Sequence, residues 1–199
     1  QDKKLLKLFF VFTLLCSLSF TNAQTKNSET QYHINLDLGA GYSYYLTSMN
    51  FENLSSSPFI FTGRLMWEPE HLTRIGIEFG YLPLFSLDTK ALNSLFGSTD
   101  VNLSLNALPL MLVFGIEISE NLEIFVGLGE FFLFSEVESF DNKVTSSSLS
   151  NGYEFAVSYL HPFYDNLKIG GEIKTFYISR LNNFDVTFQV GVKYNLLSF

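Results

Sequence analysis

Residues 184–199 read FDVTFQVGVKYNLLSF, and apolar and polar side chains alternate along most of this stretch. The apolar positions are Phe184, Val186, Phe188, Val190, Val192 and Tyr194. A period of two is typical of a strand that has one face in an apolar medium and the other in a polar one. The stretch therefore predicts a β-strand at the end of the chain, and a membrane-spanning β-barrel is the fold that requires such strands.

Seven earlier stretches show the same alternation, and they predict strands at 32–47, 58–68, 72–86, 99–118, 122–135, 151–162 and 167–180. Tight turns at 69–71, 119–121, 164–166 and 182–183 and longer loops at 48–57, 87–98 and 136–150 separate them. Short turns on one side and long loops on the other are typical of an all-β, up-and-down, eight-stranded antiparallel transmembrane barrel. Because eight is even, both termini are expected on the turn side, which would be periplasmic.

The first residues predict a targeting segment. Lys3, Lys4 and Lys7 precede an apolar run at 8–15, and Thr21-Asn22-Ala23 supplies a small residue before Gln24. This arrangement predicts a signal peptide at 1–23, and the apolar run is too short for a spanning helix. The polar residues 24–31 then form a lead before a barrel at 32–199.

Composition excludes several other classes of protein. Without residues 1–23 the chain keeps 9 basic and 19 acidic residues, a net charge of −10, which predicts no nucleic-acid binding. Its single cysteine, Cys16, lies in the predicted signal peptide, so no disulfide framework is expected. The 22 Phe and 10 Tyr suit strands and the aromatic girdles of a membrane barrel. No apolar run after residue 23 is long enough for a membrane-spanning helix.

Ionisable residues fall on the face opposite the apolar one, which would be the lumen. The turn at 69–71 predicts that Arg64 and Glu78 meet across a hairpin. A two-residue turn at Asn182-Asn183 predicts that Glu172 lies directly opposite Lys193, within reach of a salt bridge. Paired charges of this kind predict a narrow, polar and largely filled lumen.

Three irregularities interrupt the alternation. The apolar parity changes between Leu105 and Leu108, which predicts a β-bulge at Asn106-Ala107. The pattern blurs at Glu130, whose face it leaves open. Residues 195–199 leave the phase of the closing strand, so their register also stays open.

Little in the sequence predicts catalysis. The three histidines, His33, His71 and His161, are all expected near the turn-side rim, and none has a carboxylate or a second histidine two residues away, the spacing that puts neighbouring ligands on one face of a strand. No serine, histidine and carboxylate are predicted to face one another on neighbouring strands. We therefore expect no catalytic, cofactor-binding or metal-binding residues, no cofactor and no enzymatic activity.

Four motifs carry a family resemblance: LDLGAGYSYY, ALPLMLVFGI, IFVGLGEFF and FQVGVKYNLLSF. With the rhythm of the strands, they resemble the small outer-membrane β-barrel family of Bacteroidetes-type Gram-negative bacteria, related in shape to the OmpX and OmpW barrels. The resemblance implies contact with outer-membrane lipid and insertion by the outer-membrane assembly machinery, which reads a C-terminal aromatic strand such as the one ending at Phe199.

Three functions remain open from the sequence. The first is a structural or surface-interaction barrel whose external loops meet an unidentified partner. The second is a narrow porin-like or OmpW-like channel for small molecules, which the apolar run at 108–114 and the phase break at Glu130 favour. The third, a soluble lipocalin-like carrier, would need its apolar face inside, and the paired charges on the other face disfavour it.

Overall fold

The computed structural model describes residues 32–46, 54–55, 59–69, 73–93, 97–139 and 142–198, within a compact unit that begins at Gln31. Its strands are β1 (His33–Leu46), β2 (Leu54–Ser55), β3 (Phe59–Glu68), β4 (Thr73–Asn93), β5 (Gly97–Ser119), β6 (Leu122–Ser139), β7 (Asn142–Tyr164), β8 (Leu167–Ile178) and β9 (Asn183–Ser198). The predicted signal peptide at 1–23, the whole lead at 24–31, and His71 lie outside the described residues. Among the described residues, no helix is long and apolar enough to cross a membrane.

The eight long strands pair antiparallel and close into a ring, in the order β3, β1, β9, β8, β7, β6, β5, β4 and back to β3. The two residues of β2 add only a short pairing beside β4. Closure leaves no unpaired edge around the ring, which a sheet in hydrocarbon requires. The predicted eight-stranded up-and-down barrel is confirmed.

The ring closes where β1 meets β9, from His33 opposite Ser198 to Leu46 opposite Phe184. The pairing skips Leu196, so that Asn195 opposes Asn35 and Leu197 opposes Ile34. This one-residue β-bulge accounts for the loss of alternation at the end of the sequence, because an extra residue shifts the parity of those that follow.

Side chains divide cleanly between the two faces of the ring. The outward face carries exposed Leu, Ile, Val, Phe, Tyr and Trp side chains, as a barrel in hydrocarbon requires. The inward face holds the predicted charged residues, all of them buried or nearly so. Glu130, whose face the sequence left open, points outward opposite Leu110 and Asn151.

The parity change in β5 has a different cause from the predicted bulge. The β5–β6 pairing runs without interruption from Val101 to Glu117, so no residue is inserted at Asn106-Ala107, and that prediction is wrong. Apolar residues 108–118 of even number point outward, whereas Ala107 is fully buried on the inward side. At 108–118 the even-numbered apolar side chains point outward, into the apolar band. Before residue 108 the strand lies beyond that band, and its apolar side chains point inward, against the core of the barrel. The irregularity lies instead in β4, between Pro83 and Phe85.

Four strands extend past the rest of the ring. β4 and β5 continue to the pair Asn93–Gly97, and β6 and β7 continue to Ser139–Asn142, whereas β8 leaves β7 at Gly152. The predicted loops at 87–98 and 136–150 are therefore wrong. Their Ser, Thr, Asn and Asp content suggested turns, but cross-strand pairing keeps the described residues of both stretches extended. We call residues 83–93, 97–106, 132–139 and 142–149 the protruding sheet.

The last hairpin is longer than its Asn-Asn sequence suggested. Ile178 pairs with Asn183, so Ser179–Asn182 form a four-residue loop rather than a two-residue turn. Asn182 takes a φ of 51°, the left-handed conformation that asparagine tolerates better than most residues. The longer loop shifts the partner of every residue in β8 by four positions along β9.

The parity change predicts a difference between two outward positions of β5. We expect Leu112→Arg, within the apolar band, to lower the free energy of unfolding in phospholipid vesicles by about 2–4 kcal/mol. Asn102→Arg, on the protruding sheet, should change it by less than about 0.5 kcal/mol. Urea unfolding of both variants measures the difference, and equal losses would contradict the assignment of the band.

Candidate functional site

The middle of the lumen is organised around Arg64 of β3, which is only 3% exposed. Its guanidinium lies 2.6 Å from a Glu78 oxygen and 3.1 Å from oxygens of both Glu154 and Glu172. Asp37 follows at 3.8 Å. Because Arg64 and Glu78 oppose each other across β3 and β4, their predicted pairing is confirmed.

Lys174 of β8 is the second cation of this cluster, and its side chain is 1% exposed. Its ammonium lies 2.5 Å from Glu78, 3.0 Å from Glu172 and 3.7 Å from Glu154. Glu78 is thus held from both sides, since Arg64 donates to its Oε2 and Lys174 to its Oε1. We call these two cations and the four carboxylates around them the central cluster.

The central cluster has more acids than bases: Arg64 and Lys174 face Asp37, Glu78, Glu154 and Glu172, a surplus of two carboxylates. Two carboxylate oxygens have no hydrogen-bond partner among the described residues, Asp37 Oδ1 and Glu154 Oε2. Burying an unpaired negative charge is costly. The surplus therefore falls on these two acids, where a proton would satisfy the charge balance.

The cluster leaves little free space. A cavity of about 20 Å³ lies beside Asp37, Arg64, Glu78 and Lys174. A space of that size holds roughly one water molecule. The lumen at this level is filled by side chains, as the sequence predicted.

A second group of ion pairs lies nearer the tight turns and involves Arg74 of β4 and Lys193 of β9. Arg74 lies 3.0 Å from Glu68 and 2.5 Å from Glu123, and it also pairs with Glu117. Lys193 reaches Glu68 at 2.5 Å and Glu123 at 3.2 Å. We call these five residues the turn-side cluster.

The predicted pair of Glu172 and Lys193 is wrong. Glu172 opposes Gln189, and Lys193 opposes Lys168, because the four-residue loop after β8 sets a different register. Both residues still point into the lumen, since the shift is even and preserves parity. They belong to different clusters: Glu172 to the central one and Lys193 to the turn-side one.

Glycines on the inward face make room for these side chains. A Cβ at Gly127 would lie 3.1 Å from Glu154 Oε2, and a Cβ at Gly39 would lie 2.2 Å from Gln189 Oε1. The Gln189 oxygen also accepts a hydrogen bond from Thr62. Glycine is therefore needed at these two positions because a larger residue would clash with the lumen side chains. The sequence alone indicated only that the lumen is narrow.

The loop-side part of the lumen is apolar. Phe131 and Phe176 are both fully buried and pack edge to face with ring centroids 5.7 Å apart. Below them the Arg64 guanidinium carbon lies 4.0 Å from the centre of the Phe125 ring, a cation–π contact. The sequence did not predict this apolar layer. The alternation is lost after Glu130 because residues 131–134 are apolar on both faces, and the inward-facing ones belong to the layer.

His33 and His161, the two histidines that the structure describes, do not form a site together. His33 Nδ1 lies 2.9 Å from Ser198 Oγ and 3.1 Å from Asn195 Nδ2. A catalytic serine–histidine pair needs a third group on the other ring nitrogen, whereas here both partners approach the same nitrogen. His161 is exposed on β7, and the described residues contain no group of three or more His, Cys, Asp or Glu residues that could hold a metal ion.

Comparison with known proteins gives one family match. The model of the family described as outer membrane protein beta-barrel domain matches residues 10–195. A search of curated proteins finds no match.

Solved structures share the fold at low sequence identity. A major outer membrane protein from Thermus thermophilus is 13% identical, with a TM-score of 0.54 over 83% of this chain and 99% of that chain. Ail from Yersinia pestis, in complex with the heparin analogue sucrose octasulfate, is 13% identical, with a TM-score of 0.49 over 86% and 100%. Neisserial surface protein A is 13% identical, with a TM-score of 0.45 over 82% and 97%.

Removing the central cation should destabilise the barrel strongly. We expect Arg64→Met to lower the free energy of unfolding by about 3–5 kcal/mol, because it leaves four buried carboxylates with one cation. Arg180→Met, at an exposed arginine in the loop after β8, should have little effect. Urea unfolding in phospholipid vesicles measures both, and similar values would contradict the central role of Arg64.

The two buried glutamates should respond differently to neutralisation. We expect Glu78→Gln to cost about 1.5–3 kcal/mol, because it puts an amide donor where a carboxylate oxygen accepts a charged hydrogen bond from Arg64 or Lys174. Glu154→Gln should cost clearly less than Glu78→Gln, because it removes a surplus charge and keeps an oxygen that can accept from Arg64. The same unfolding assay compares them, and a larger loss for Glu154→Gln would show that the surplus is balanced in another way.

Proposed function

The chain belongs to the outer membrane protein β-barrel domain family, and we propose that its closed barrel binds an extended segment of a partner protein through the protruding sheet. The observation that carries the proposal is the edge of β7 at residues 143–149. Among the described residues, no strand pairs with the side of this edge that faces away from β6.

This edge has the features of a site for strand addition. It is part of a strand that pairs regularly with β6, so its backbone is already extended. Its sequence, KVTSSSL, has no proline and one charge, so it lacks most of the devices that block edge pairing. An added strand would gain main-chain hydrogen bonds, with affinity that depends little on the side chains of the partner.

The lumen argues for a binding function over transport. The central cluster fills it at mid-height, and the apolar layer around Phe131 and Phe176 fills it on the loop side. The chemistry of the barrel thus lies on its surface, and we propose no enzymatic activity and no cofactor. The proposed partners are outer-membrane lipid, the assembly machinery during insertion, and a protein outside the cell.

The orientation is also part of the proposal. The first strand begins at His33 and the last strand ends at Ser198, and these two residues pair on the turn side of the ring. A signal peptide at 1–23 would deliver the N-terminus to the periplasm. We therefore place the turns in the periplasm and the protruding sheet outside the cell.

A deletion that keeps the register tests the binding edge. Removing residues 135–138 together with 143–146 shortens β6 and β7 equally, because Ser135 opposes Ser146 and Glu138 opposes Lys143. The probe is a phage-displayed library of random peptides, panned against the wild-type protein in lipid nanodiscs. We expect the selected peptides to lose binding to the shortened variant and to slow amide hydrogen exchange at 143–149 in the wild type.

The matched control shortens the neighbouring hairpin. Removing residues 88–91 together with 99–102 keeps the register of β4 and β5 and leaves the β7 edge intact. Binding should persist in this variant. Failure to enrich any peptide over empty nanodiscs, or equal binding to both deletions, would overturn the proposal.

A narrow channel is the alternative, and single-channel recording separates the two functions. We expect the wild-type protein to give no conductance steps in a planar bilayer, because the central cluster leaves space for roughly one water molecule. The recording requires folded protein, which is identified by gel mobility that changes on heating. Regular conductance steps from that preparation would favour the channel.

A further inference from the structure

A groove of about 680 Å³ lies on the outward face of the barrel, over β1, β9 and β8. Its floor is a row of three small residues, since Ala40 opposes Val190 and Val190 opposes Gly171. Most other outward positions in these strands carry larger side chains. The row therefore makes a notch in an otherwise bulky apolar surface.

Aromatic side chains form the walls of the groove. Tyr42 and Phe59 pack edge to face at one end, with ring centroids 5.9 Å apart, and Phe188 lines one side. Tyr159 stands at the other end, opposite Leu122, which begins β6 directly after a tight turn. Phe59 begins β3 on the loop side. The groove thus runs obliquely from near the turn side toward the loop side of the outward band.

The glycine in the floor is not required by the fold. A Cβ at Gly171 would meet only the carbonyl oxygen of Gln189, at 3.7 Å, which is ordinary van der Waals contact. Gly127 and Gly39 in the lumen differ, because a Cβ there would meet neighbouring side chains at 3.0 Å or closer. A larger residue at 171 would fit the backbone and fill the groove.

We propose that this groove is a binding site for one aliphatic chain of a membrane lipid. The outward band of an outer-membrane barrel faces hydrocarbon, so whatever fills the groove must be apolar. The outward-facing residues that line it are aliphatic, aromatic or glycine. A depression with a floor of small residues and aromatic walls fits a flexible acyl chain, and its volume lies within the range of small-molecule sites.

This lipid site is independent of the protein partner proposed for the β7 edge. The groove lies over β1, β9 and β8, whereas that edge belongs to the protruding sheet. A bound chain would bury the exposed surfaces of Phe188 and Tyr159, which are 50% and 56% exposed in the isolated barrel. A chain held in the groove in preference to even contact around the band is what would distinguish this lipid from the rest of the surrounding bilayer.

Photocrosslinking with a lipid analogue tests the site. The wild-type protein is reconstituted in vesicles that contain phosphatidylcholine with a diazirine on its acyl chain, and the labelled peptides are mapped by mass spectrometry. We expect labelling enriched at the groove residues relative to the remaining outward band. Gly171→Phe should abolish the enrichment because its ring occupies the floor.

Thr175→Phe is the matched control, because Thr175 lies on the same face of β8 but does not line the groove. It should keep the wild-type labelling. Gel mobility before and after heating verifies folding, and Ala40→Phe is the second filling variant if Gly171→Phe does not fold.

Two outcomes would overturn the lipid site. The first is labelling that is even around the barrel, or that is unchanged by a folded filling variant. The second is a wild-type dimer in native mass spectrometry that either filling variant converts to a monomer, since this would identify a second copy of the chain as the occupant.

Discussion

The contacts of Arg64 with four carboxylates are the interaction on which the lumen depends. The acids come from four different strands: Asp37 from β1, Glu78 from β4, Glu154 from β7 and Glu172 from β8. With Arg64 itself on β3, one guanidinium connects five of the eight long strands across the barrel. A guanidinium group suits this position because it presents five donors in a rigid plane and keeps its positive charge when buried.

The turn-side cluster completes the circle. Glu117 of β5, Glu123 of β6 and Lys193 of β9 come from the three long strands that the central cluster lacks. Every long strand therefore contributes at least one charged side chain to the two clusters. Buried ion pairs are weak evidence for stability, because desolvation offsets much of their attraction. We infer that their main effect is on register, since a slipped strand would leave a buried charge without its partner.

The interior of the barrel is filled, whereas two parts of its surface are open to contact. Charged clusters and the apolar layer fill the interior, so small molecules have little room inside. The protruding sheet offers a strand edge above the barrel, and the groove at Gly171 offers an apolar notch on its side. These two surfaces differ in chemistry, because the first presents backbone hydrogen-bonding groups and the second presents only apolar contact area.

Alternation along the chain was enough to predict the number of long strands, their faces and the charged lumen. Alternation with a period of two is a local property, because each side chain must suit the medium on its own side of the strand. It therefore predicted that Arg64, Glu78, Glu172 and Lys193 point inward, and it located the Arg64–Glu78 pair across a short turn.

Strand register and the contacts between distant residues could be seen only in the folded barrel. The partner of Glu172 changed because the loop after β8 has four residues, and turn length cannot be read from Asn182-Asn183 alone. The described residues of 87–98 and 136–150 lie in strands because cross-strand pairing satisfies their backbones, although their sequences favour turns. The contacts of Arg64 with Asp37, Glu154 and Glu172 join residues far apart in the chain, and closure of the ring brings them together.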